Sequence, residues 1–467
     1  MAEQSIGNVE TSSTDLPPTT TPPSSAPLSP RAEADAAKAT LRIFRSLFGK
    51  HAEGSFAIRL WDGQEWANAP GEPPRFKIVL NHPGALRKML LPPAEAVLGE
   101  AFIRGDFDVE GDLVACTALA DAIGPTLANP LTWPLLLRDL ASLPKTSPAG
   151  YQWRGAARLA GEEHSQNRDQ AAVTYHYDLP GEFYGLFLDR RMQYSCAYFR
   201  TDTETLDAAQ EAKLEHICRK LQLKPGERLL DIGCGWGGLI AYAAERYGVE
   251  ALGITISRGQ ADLTRKRIQE AGLGERCRVE LLDYRQMNEP NAFDKIVSVG
   301  MFEHVGRGKL ATYFARAHRL LRPGGIFLNH GIASMYVNEG RFVSLVHRLL
   351  STSGDFMQRY VFPDGELVPV SDTTSIAERA GFEVRDVEGL REHYAQTLRH
   401  WLANLDARRE EALAMVDLPT YRVWRLYIAG CAHAFDTAKI NVYQAILVKP
   451  DRHGCSGMPW TREYLYQ

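Results

Sequence analysis

"ERLLDIGCGWGGLIAYAAERYG" (227–248) decides the fold. An apolar strand runs to Ile232, a glycine-rich turn comes next, and a helix is predicted to start near Gly237. Gly233, Gly235 and Gly237 let the chain turn sharply and bring its backbone close to a ligand, at which the free N–H groups of the next helix then point. The GxGxG spacing alone is shared with dinucleotide enzymes, so the order of the downstream segments matters. "VEALGITIS" is a second strand ending in Thr255 and Ser257, and the helix after it carries Gln260. "CRVELLDYR" is a third, ending at Asp283 and Tyr284, and "FDKIVSVG" is a fourth that runs through Val299 into "MFEHVG". "LLRPGGIFLNHGI" places a Pro/Gly turn before a fifth strand, and the helix "TTSIAERAGF" leads to strands "EVRDVE" and "NVYQAILVKP". Strand alternates with helix until the closing strand pair. The fold class is therefore α/β, a doubly wound sheet whose last strand is antiparallel, at its edge.

Outward from this core, the 467 residues are enough for two domains and a tail. Residues 1–36 include "TSSTDLPPTTTPPSSAPLSP", which has almost nothing to bury and is expected to be a disordered tail. In "AAKATLRIFRSLFGK" (36–50), Leu41, Phe44, Leu47 and Phe48 recur at helical spacing among Lys38, Arg42, Arg45 and Lys50. Such a basic amphipathic helix either docks its apolar face on its own domain, the better reading for a short helix, or lies on a membrane surface. Residues 37–125 read as a small N-terminal α+β domain, with "SFAIRLWDGQEW" and "RFKIVLNHP" as strands. Residues 126–165 read as a linker, 166–450 as the large domain and 451–467 as a C-terminal tail. A net charge of −4 gives no general reason to expect nucleic acid, although a local basic patch can still meet a membrane. The seven cysteines show no CxxC pair and no zinc-like Cys/His spacing. They read as reduced thiols of a cytosolic protein without a bound metal. No apolar run reaches the roughly 18 residues of a membrane span, and the N-terminal stretch, with no charged segment followed by an apolar block, does not read as a secretory signal.

The strand order and glycine loop resemble the class I S-adenosylmethionine-dependent methyltransferases, a Rossmann-like family. The usual acidic residue after the second strand is replaced by "TISRGQ" (255–260). Its neutral Thr255, Ser257 and Gln260 could bind the ribose, and Thr255 and Ser257 could also cap the next helix, since both roles can hold at once. A closer resemblance covers most of 37–450. "VTYHYDLPGEFYGLFLDRRMQYSCAYF" (173–199), "LLDIGCGWGGL", "VSVGMFEHVG", "RLLRPGGIFLNHGI", "EHYAQTL" and "YRVWRLYIAGCAHAF" keep the order seen in cyclopropane-fatty-acyl-phospholipid synthases and mycolic acid cyclopropane synthases. That resemblance implies cofactor contacts from Tyr194, Ser195, Asp231, Gly233, Gly235, Gly237, Thr255, Ser257, Gln260, Asp283 and Tyr284. It also implies a bicarbonate ion held by Cys196, Glu303, His330, Tyr394 and a backbone group at Val299. The implied activity is transfer of a methylene from S-adenosylmethionine to the cis double bond of an unsaturated phospholipid. The enzyme would be cytoplasmic and peripheral at the inner face of the membrane, with a homodimer as an allowed assembly.

An alkene attacks a sulfonium methyl only when held in line at near contact, and the resulting carbocation needs a dry pocket. Aromatic faces tolerate such a charge, and Tyr175, Phe183, Tyr198 and Phe199 are candidate lining. Bicarbonate would serve as a small general base. His330 and Tyr394 can donate to it, Cys196 offers a weak S–H, and Glu303 either accepts the O–H or is itself protonated, since two anions repel. Each residue also has a plainer reading. Cys196 suits a small core residue, His330 a satisfied core histidine, and Glu303 with His304 a helix cap. Cys234 is needed only for its size, and His304 has no assigned role. The helix at 421–435 is more often core than an acyl tunnel, and 335–365 is a long insertion that could be a lid. Two rival functions stay open: a sister reaction giving methylene- or methyl-branched chains, and methylation of a small metabolite. A third, a lipid-binding homologue without turnover, would carry a damaged glycine loop or lack Glu303.

Overall fold

The computed structural model describes residues 28–48, 54–91, 95–122, 132–145, 155–157, 159–177, 179–335 and 355–466. The N-terminal region starts with helix α1 (Pro30–Phe48), which opens on a proline at its first turn. It begins six residues before the expected end of the tail, because an alanine-rich run with Glu33 in the first turn favours helix. Its apolar side is buried through Ile43, Phe44, Leu47 and Phe48. The apolar face is thus spent on its own domain, the plainer of the two readings. It packs on a four-stranded sheet of order β2-β1-β3-β4, formed by β1 (Phe56–Arg59), β2 (Glu65–Ala67), β3 (Phe76–Leu80) and β4 (Phe107–Gly111). Phe48 meets Phe56 edge-on at 5.6 Å and Phe56 stacks on Phe76 at 5.4 Å. Helix α2 (Glu95–Ile103) leads into β4.

The expected linker contains α3 (Trp133–Ser142), which packs on α1. Leu136 and Leu140 are buried there, and the Asp139 carboxylate accepts from Arg42 Nε and Nη2, each at 3.2 Å. An amphipathic helix with a docking partner is part of the small domain, so the linker reading is corrected over these residues.

The large domain begins with α4 (Gln166–Tyr177) and α5 (Leu206–Leu221), the latter capped by Thr205, whose side chain accepts from Ala208 N–H. Next come β5 (Arg228–Ile232), α6 (Gly238–Tyr247), β6 (Glu250–Thr255), α7 (Arg258–Glu270), β7 (Cys277–Leu281), β8 (Phe293–Val299), α8 (Leu310–Leu320) and β9 (Leu321–Ser334). After α9 (Asp355–Tyr360) and α10 (Val370–Arg379) come β10 (Glu383–Gly389), α11 (Arg391–Ala407), α12 (Leu418–Asp436) and β11 (Ile440–Val448). The sheet order is β10-β11-β9-β8-β5-β6-β7, with β9, β8, β5, β6 and β7 mutually parallel and β11 antiparallel to both neighbours. The last strand is antiparallel as expected, but it is inserted beside β9 rather than placed at the edge, which β10 occupies. The Pro/Gly turn is a bulge within β9: Phe293 pairs with Leu321 and Lys295 with Ile326.

One apolar cluster joins the two regions, running from Phe44, Phe56 and Phe102 to Trp401, Trp424 and Ile428. Arg422 of α12 reaches Asp108 through Nη2 at 2.7 and 2.8 Å and Phe102 O through Nη1 at 2.9 Å. The C-terminal stretch packs as well. Leu465 is buried, and Met458 Sδ receives Gln222 Nε2 at 3.1 Å, so 451–466 is not a free tail. Of the lid candidate, 336–354 lies outside the described residues. The remainder packs on the small domain, where Tyr360 donates to Glu100 Oε1 at 2.7 Å.

Candidate active site

A cleft opens over the carboxyl ends of β5, β6, β7 and β8, the switch point of the sheet. Its floor is the glycine loop. At Gly233 φ is +82° and an added Cβ would meet Met301 at 2.8 Å; at Gly237 φ is +77° and a Cβ would collide with Thr264. The first glycine leaves room for the cleft, and the last lets α6 and α7 close on each other. Cys234 fills the space that Gly253 leaves on β6, so size is what that position needs.

The lining includes Tyr194, Ser195, Asp231, Gly233, Gly235, Thr255, Gln260, Asp283, Tyr284 and Val299. Gly237 and Ser257 are outside it. Gly237 packs against Thr264, and Ser257 caps α7 by accepting from Gln260 N–H, which leaves its own hydroxyl proton unspent. Most polar groups in the cleft are already held in place. Thr255 donates to Gln260 Oε1 at 2.8 Å. Arg285 grips Asp283 at 2.6 to 3.1 Å and ties it to Asp169 of α4 at 2.9 Å. Asp231 differs. It is 2% exposed, its Oδ1 has no partner among the described residues, and burial pushes its carboxyl up to about 7 against the pull of Lys213. Sequence reasoning missed Gln193, Trp236, Arg285 and His304, which also line the cleft. Burial holds the His304 imidazole down to about 4, so it is neutral.

Cys196, Glu303, His330 and Tyr394 do not line this cleft. Glu303 follows β8, His330 is on β9 and Tyr394 is on the first turn of α11, and a chain of hydrogen bonds links their backbones to Cys196. The Cys196 thiol donates to Leu390 O at 3.6 Å and to Ala197 O at 3.2 Å, and Tyr394 N–H bonds the same Leu390 carbonyl at 3.1 Å. Leu390 N–H in turn bonds Val442 O, and Val442 pairs with Ile332 of β9. Ile332 N–H donates to Glu303 Oε1 at 2.6 Å. His330 lies two residues before Ile332, with Gln444 Nε2 at 3.2 Å from its Nδ1, and its carbonyl accepts from Gly300 N–H at 2.9 Å. Burial raises the Tyr394 hydroxyl well above its ordinary range, and Tyr427, Cys196 and Glu303 are near enough to add to the rise.

Three side-chain atoms here have no partner among the described residues: Glu303 Oε2, His330 Nε2 and Gln444 Oε1. Burial raises the Glu303 carboxyl to about 7 and drops the His330 imidazole to about 3. With the Gln444 amide donating to Nδ1, the neutral ring carries its proton on Nε2, an unused donor. Burial also pushes the Cys196 thiol up, so it is an S–H and not a thiolate nucleophile. No group of His, Cys, Asp and Glu side chains able to hold a metal occurs among the described residues.

The aromatic lining differs from the expected set. Tyr194 sits among Tyr177, Tyr184, Trp401 and Trp424, stacking on Trp401 at 5.2 Å and donating to the Tyr427 hydroxyl at 3.1 Å. Phe183 joins this group edge-on to Trp424. Tyr175 faces outward and donates to Gly155 O, while Tyr198 and Phe199 stack on His216, His393 and His400. On α4, residues 175 and 177 fall on different sides, and the helical period picks Tyr177.

The sheet order and the cleft at its switch point define a class I S-adenosylmethionine-dependent methyltransferase. A family model described as mycolic acid cyclopropane synthetase matches residues 164–445, and one described as a domain of unknown function matches 43–121. A protein named probable fatty acid methyltransferase from Pseudomonas putida is 40% identical over 410 residues, 88% of this chain and 96% of that one. The structure of the cyclopropane synthase MmaA2 from Mycobacterium tuberculosis is 37% identical, covers 60% of this chain and 97% of its own, and superposes with a TM-score of 0.55. The mycolic acid cyclopropane synthase CmaA1 complexed with SAH and CTAB gives 36%, 60%, 97% and 0.55 for the same measures. The chain belongs to the mycolic acid cyclopropane synthetase family. Among the described residues no helix is long and apolar enough to cross a membrane.

Proposed function

We propose that this methyltransferase acts on an acyl chain, transferring a methylene to the cis double bond of an unsaturated phospholipid, with bicarbonate as the buried base. One observation carries the reading: an unused acceptor, Glu303 Oε2, and an unused donor, His330 Nε2, are both buried outside the lining of the cofactor cleft, and we read them as the walls of a small polar chamber. Methylation of nitrogen or oxygen does not require such a chamber, because the nucleophile loses a proton that water can take. Unsatisfied buried polar atoms are costly, which favours a ligand that satisfies them.

S-adenosylmethionine, when bound, supplies an electrophilic methyl. The cleft's Asp231, Gly233, Gly235, Thr255, Gln260 and Asp283 are the groups that hold it. The rings of Tyr177, Tyr184, Tyr194, Trp401 and Trp424 exclude water and present π faces to positive charge building on the chain. Bicarbonate, when bound, supplies a small base that is not itself alkylated. Its donor and acceptor pattern fits two of the unused atoms: His330 Nε2–H donates and Glu303 Oε2 accepts an O–H, with the Cys196 thiol proton held by backbone carbonyls. A Glu303 carboxyl near 7 is equally able to hold or release a proton at neutral pH, which is what collecting the proton of ring closure demands.

The lipid must approach from a bilayer. With α1 spent on its own core, the face we assign to that contact is α3. It leaves Leu135 and Leu137 at 53% and 42% exposure, and Arg138 stands exposed between them and Asp139.

The test is incubation of the purified protein with methyl-labelled S-adenosylmethionine and vesicles of unsaturated phospholipid, with mass spectrometry of the released fatty acids as the readout. A cyclopropane ring supports the proposal. A methylene- or methyl-branched chain selects the sister reaction, and labelled small metabolites with unlabelled lipid refute it.

A further inference from the structure

The innermost charged group beside the cleft is Lys213, in the middle of α5 and fully buried. Its ammonium donates to Gln193 Oε1 at 2.7 Å and to Ser195 Oγ at 2.9 Å. Both partners are neutral, and no carboxylate oxygen lies within 4.0 Å of it among the described residues. A buried ammonium without a paired anion is expensive, and burial does draw it down, to about 8. It is retained where a protein needs fixed positive potential.

The donor arithmetic says where that potential is used. Ser195 carries one hydroxyl proton. Its oxygen is taken as an acceptor by Lys213, and its carbonyl is taken by Gln210 Nε2 at 2.9 Å. The Ser195 O–H is therefore left to donate, finds no acceptor among the described residues, and belongs to a side chain lining the cleft. The Gln193 amide is spent on Lys213 and Arg191 O. An ammonium behind a hydroxyl makes that hydroxyl a stronger donor and selects an anionic acceptor. On the same side of the cleft, Asp231 holds the bare carboxylate oxygen and feels the Lys213 charge. One unused donor backed by a cation and one unused acceptor on an acid make a complementary pair for a zwitterion.

We propose that Lys213 is a positioning residue that turns the Ser195 hydroxyl into a committed donor for the carboxylate of the cofactor's amino-acid end, with Asp231 facing its ammonium. This rests on the cofactor reading of the cleft and is independent of which lipid is alkylated. Lys213 touches no reacting atom and acts through Ser195.

The test compares two ligands of the full-length protein by calorimetry: S-adenosylhomocysteine, which carries the amino-acid group, and 5′-methylthioadenosine, which lacks it. K213M should weaken S-adenosylhomocysteine by about tenfold to a hundredfold while 5′-methylthioadenosine stays within about twofold. S195A, which empties no buried charge site and carries the test if K213M does not fold, should show the same selective loss. The double variant should be no weaker than the worse single one by more than about threefold. Parallel loss of both ligands would make Lys213 a mere strut of the wall and overturn the proposal, as would an unchanged ratio in S195A. Wild-type protein that binds neither ligand would instead sink the cofactor reading itself.

Discussion

The cleft over β5 to β8 and the proposed chamber outside its lining handle polar groups in opposite ways. In the cleft, Thr255 is bonded to Gln260, Asp283 is clasped by Arg285, and Ser195 is backed by Lys213. These groups are set before any ligand arrives, so binding costs little reorganisation. In the chamber, Glu303 and His330 each keep one buried atom unsatisfied, and their protonation is displaced from the ordinary range in opposite directions. A wall held in place everywhere but at Asp231 suits uniform binding, whereas orphan atoms on a buried acid and a buried imidazole suit a step in which a proton moves. Cleft variants should therefore act on affinity and chamber variants on turnover.

The largest effect is expected from Glu303→Gln, which keeps shape and removes the acid–base group. Turnover should fall about a thousandfold while S-adenosylhomocysteine affinity stays within about twofold. Equal losses in both would erase the distinction between the two regions. The same variant reports on stability. The folded Glu303 carboxyl titrates near 7 against an ordinary 4.5, so the fold binds more protons than the unfolded chain between those values. Its burial costs nothing below about 4.5, and wild type loses stability as pH rises towards 7. Relative to Glu303→Gln that loss should reach about 3 kcal/mol at most. Denaturant titrations at pH 4.5, 6 and 8 measure it, and a flat difference contradicts the buried, unpaired carboxyl.

On the cleft side, Asp231→Asn should weaken S-adenosylhomocysteine about tenfold, with kcat at saturating cofactor changed less. A kcat loss with intact affinity would move Asp231 into the chemistry. Smaller still, Cys196→Ser should keep turnover within about tenfold, because a hydroxyl replaces the S–H donor. Complete loss of turnover with unchanged cofactor binding would favour covalent chemistry at the thiol. The smallest effect belongs to the surface. Leu135→Asp with Leu137→Asp should lower partitioning onto anionic vesicles about threefold to tenfold and leave S-adenosylhomocysteine binding alone. Unchanged partitioning would remove α3 from the lipid contact.

The two regions also differ in how far the sequence discloses them. The glycine loop and the strand order around it are local signals, and Gly233, Gly235, Asp231 and Asp283 all fall in the cleft. Ser257 shows the limit, since a serine before a helix serves as a cap as readily as a ligand. The proposed anion site draws on residues 196, 303, 330 and 394, which are linked only through the β9–β11 pairing and the turn at Leu390, so motif resemblance groups them where spacing cannot. Lys213 stays invisible because a lysine in mid-helix normally faces water. Helix α3 hides for a related reason: Leu136, Leu140 and Asp139 make sense only once α1 and Arg42 lie beside them. The outward turn of Tyr175 is decided by the phase of α4 against the cleft, which the sequence alone leaves open.

The central claim is that an inorganic anion in the Glu303–His330 chamber serves as the base for alkylation of a lipid double bond. Turnover of unsaturated phospholipid vesicles in buffer stripped of carbon dioxide, and again after add-back of bicarbonate, tests it most directly. The expected result is a rate that collapses on depletion and recovers along a saturating curve, with S-adenosylhomocysteine affinity unchanged throughout. A rate that is the same with and without bicarbonate contradicts it.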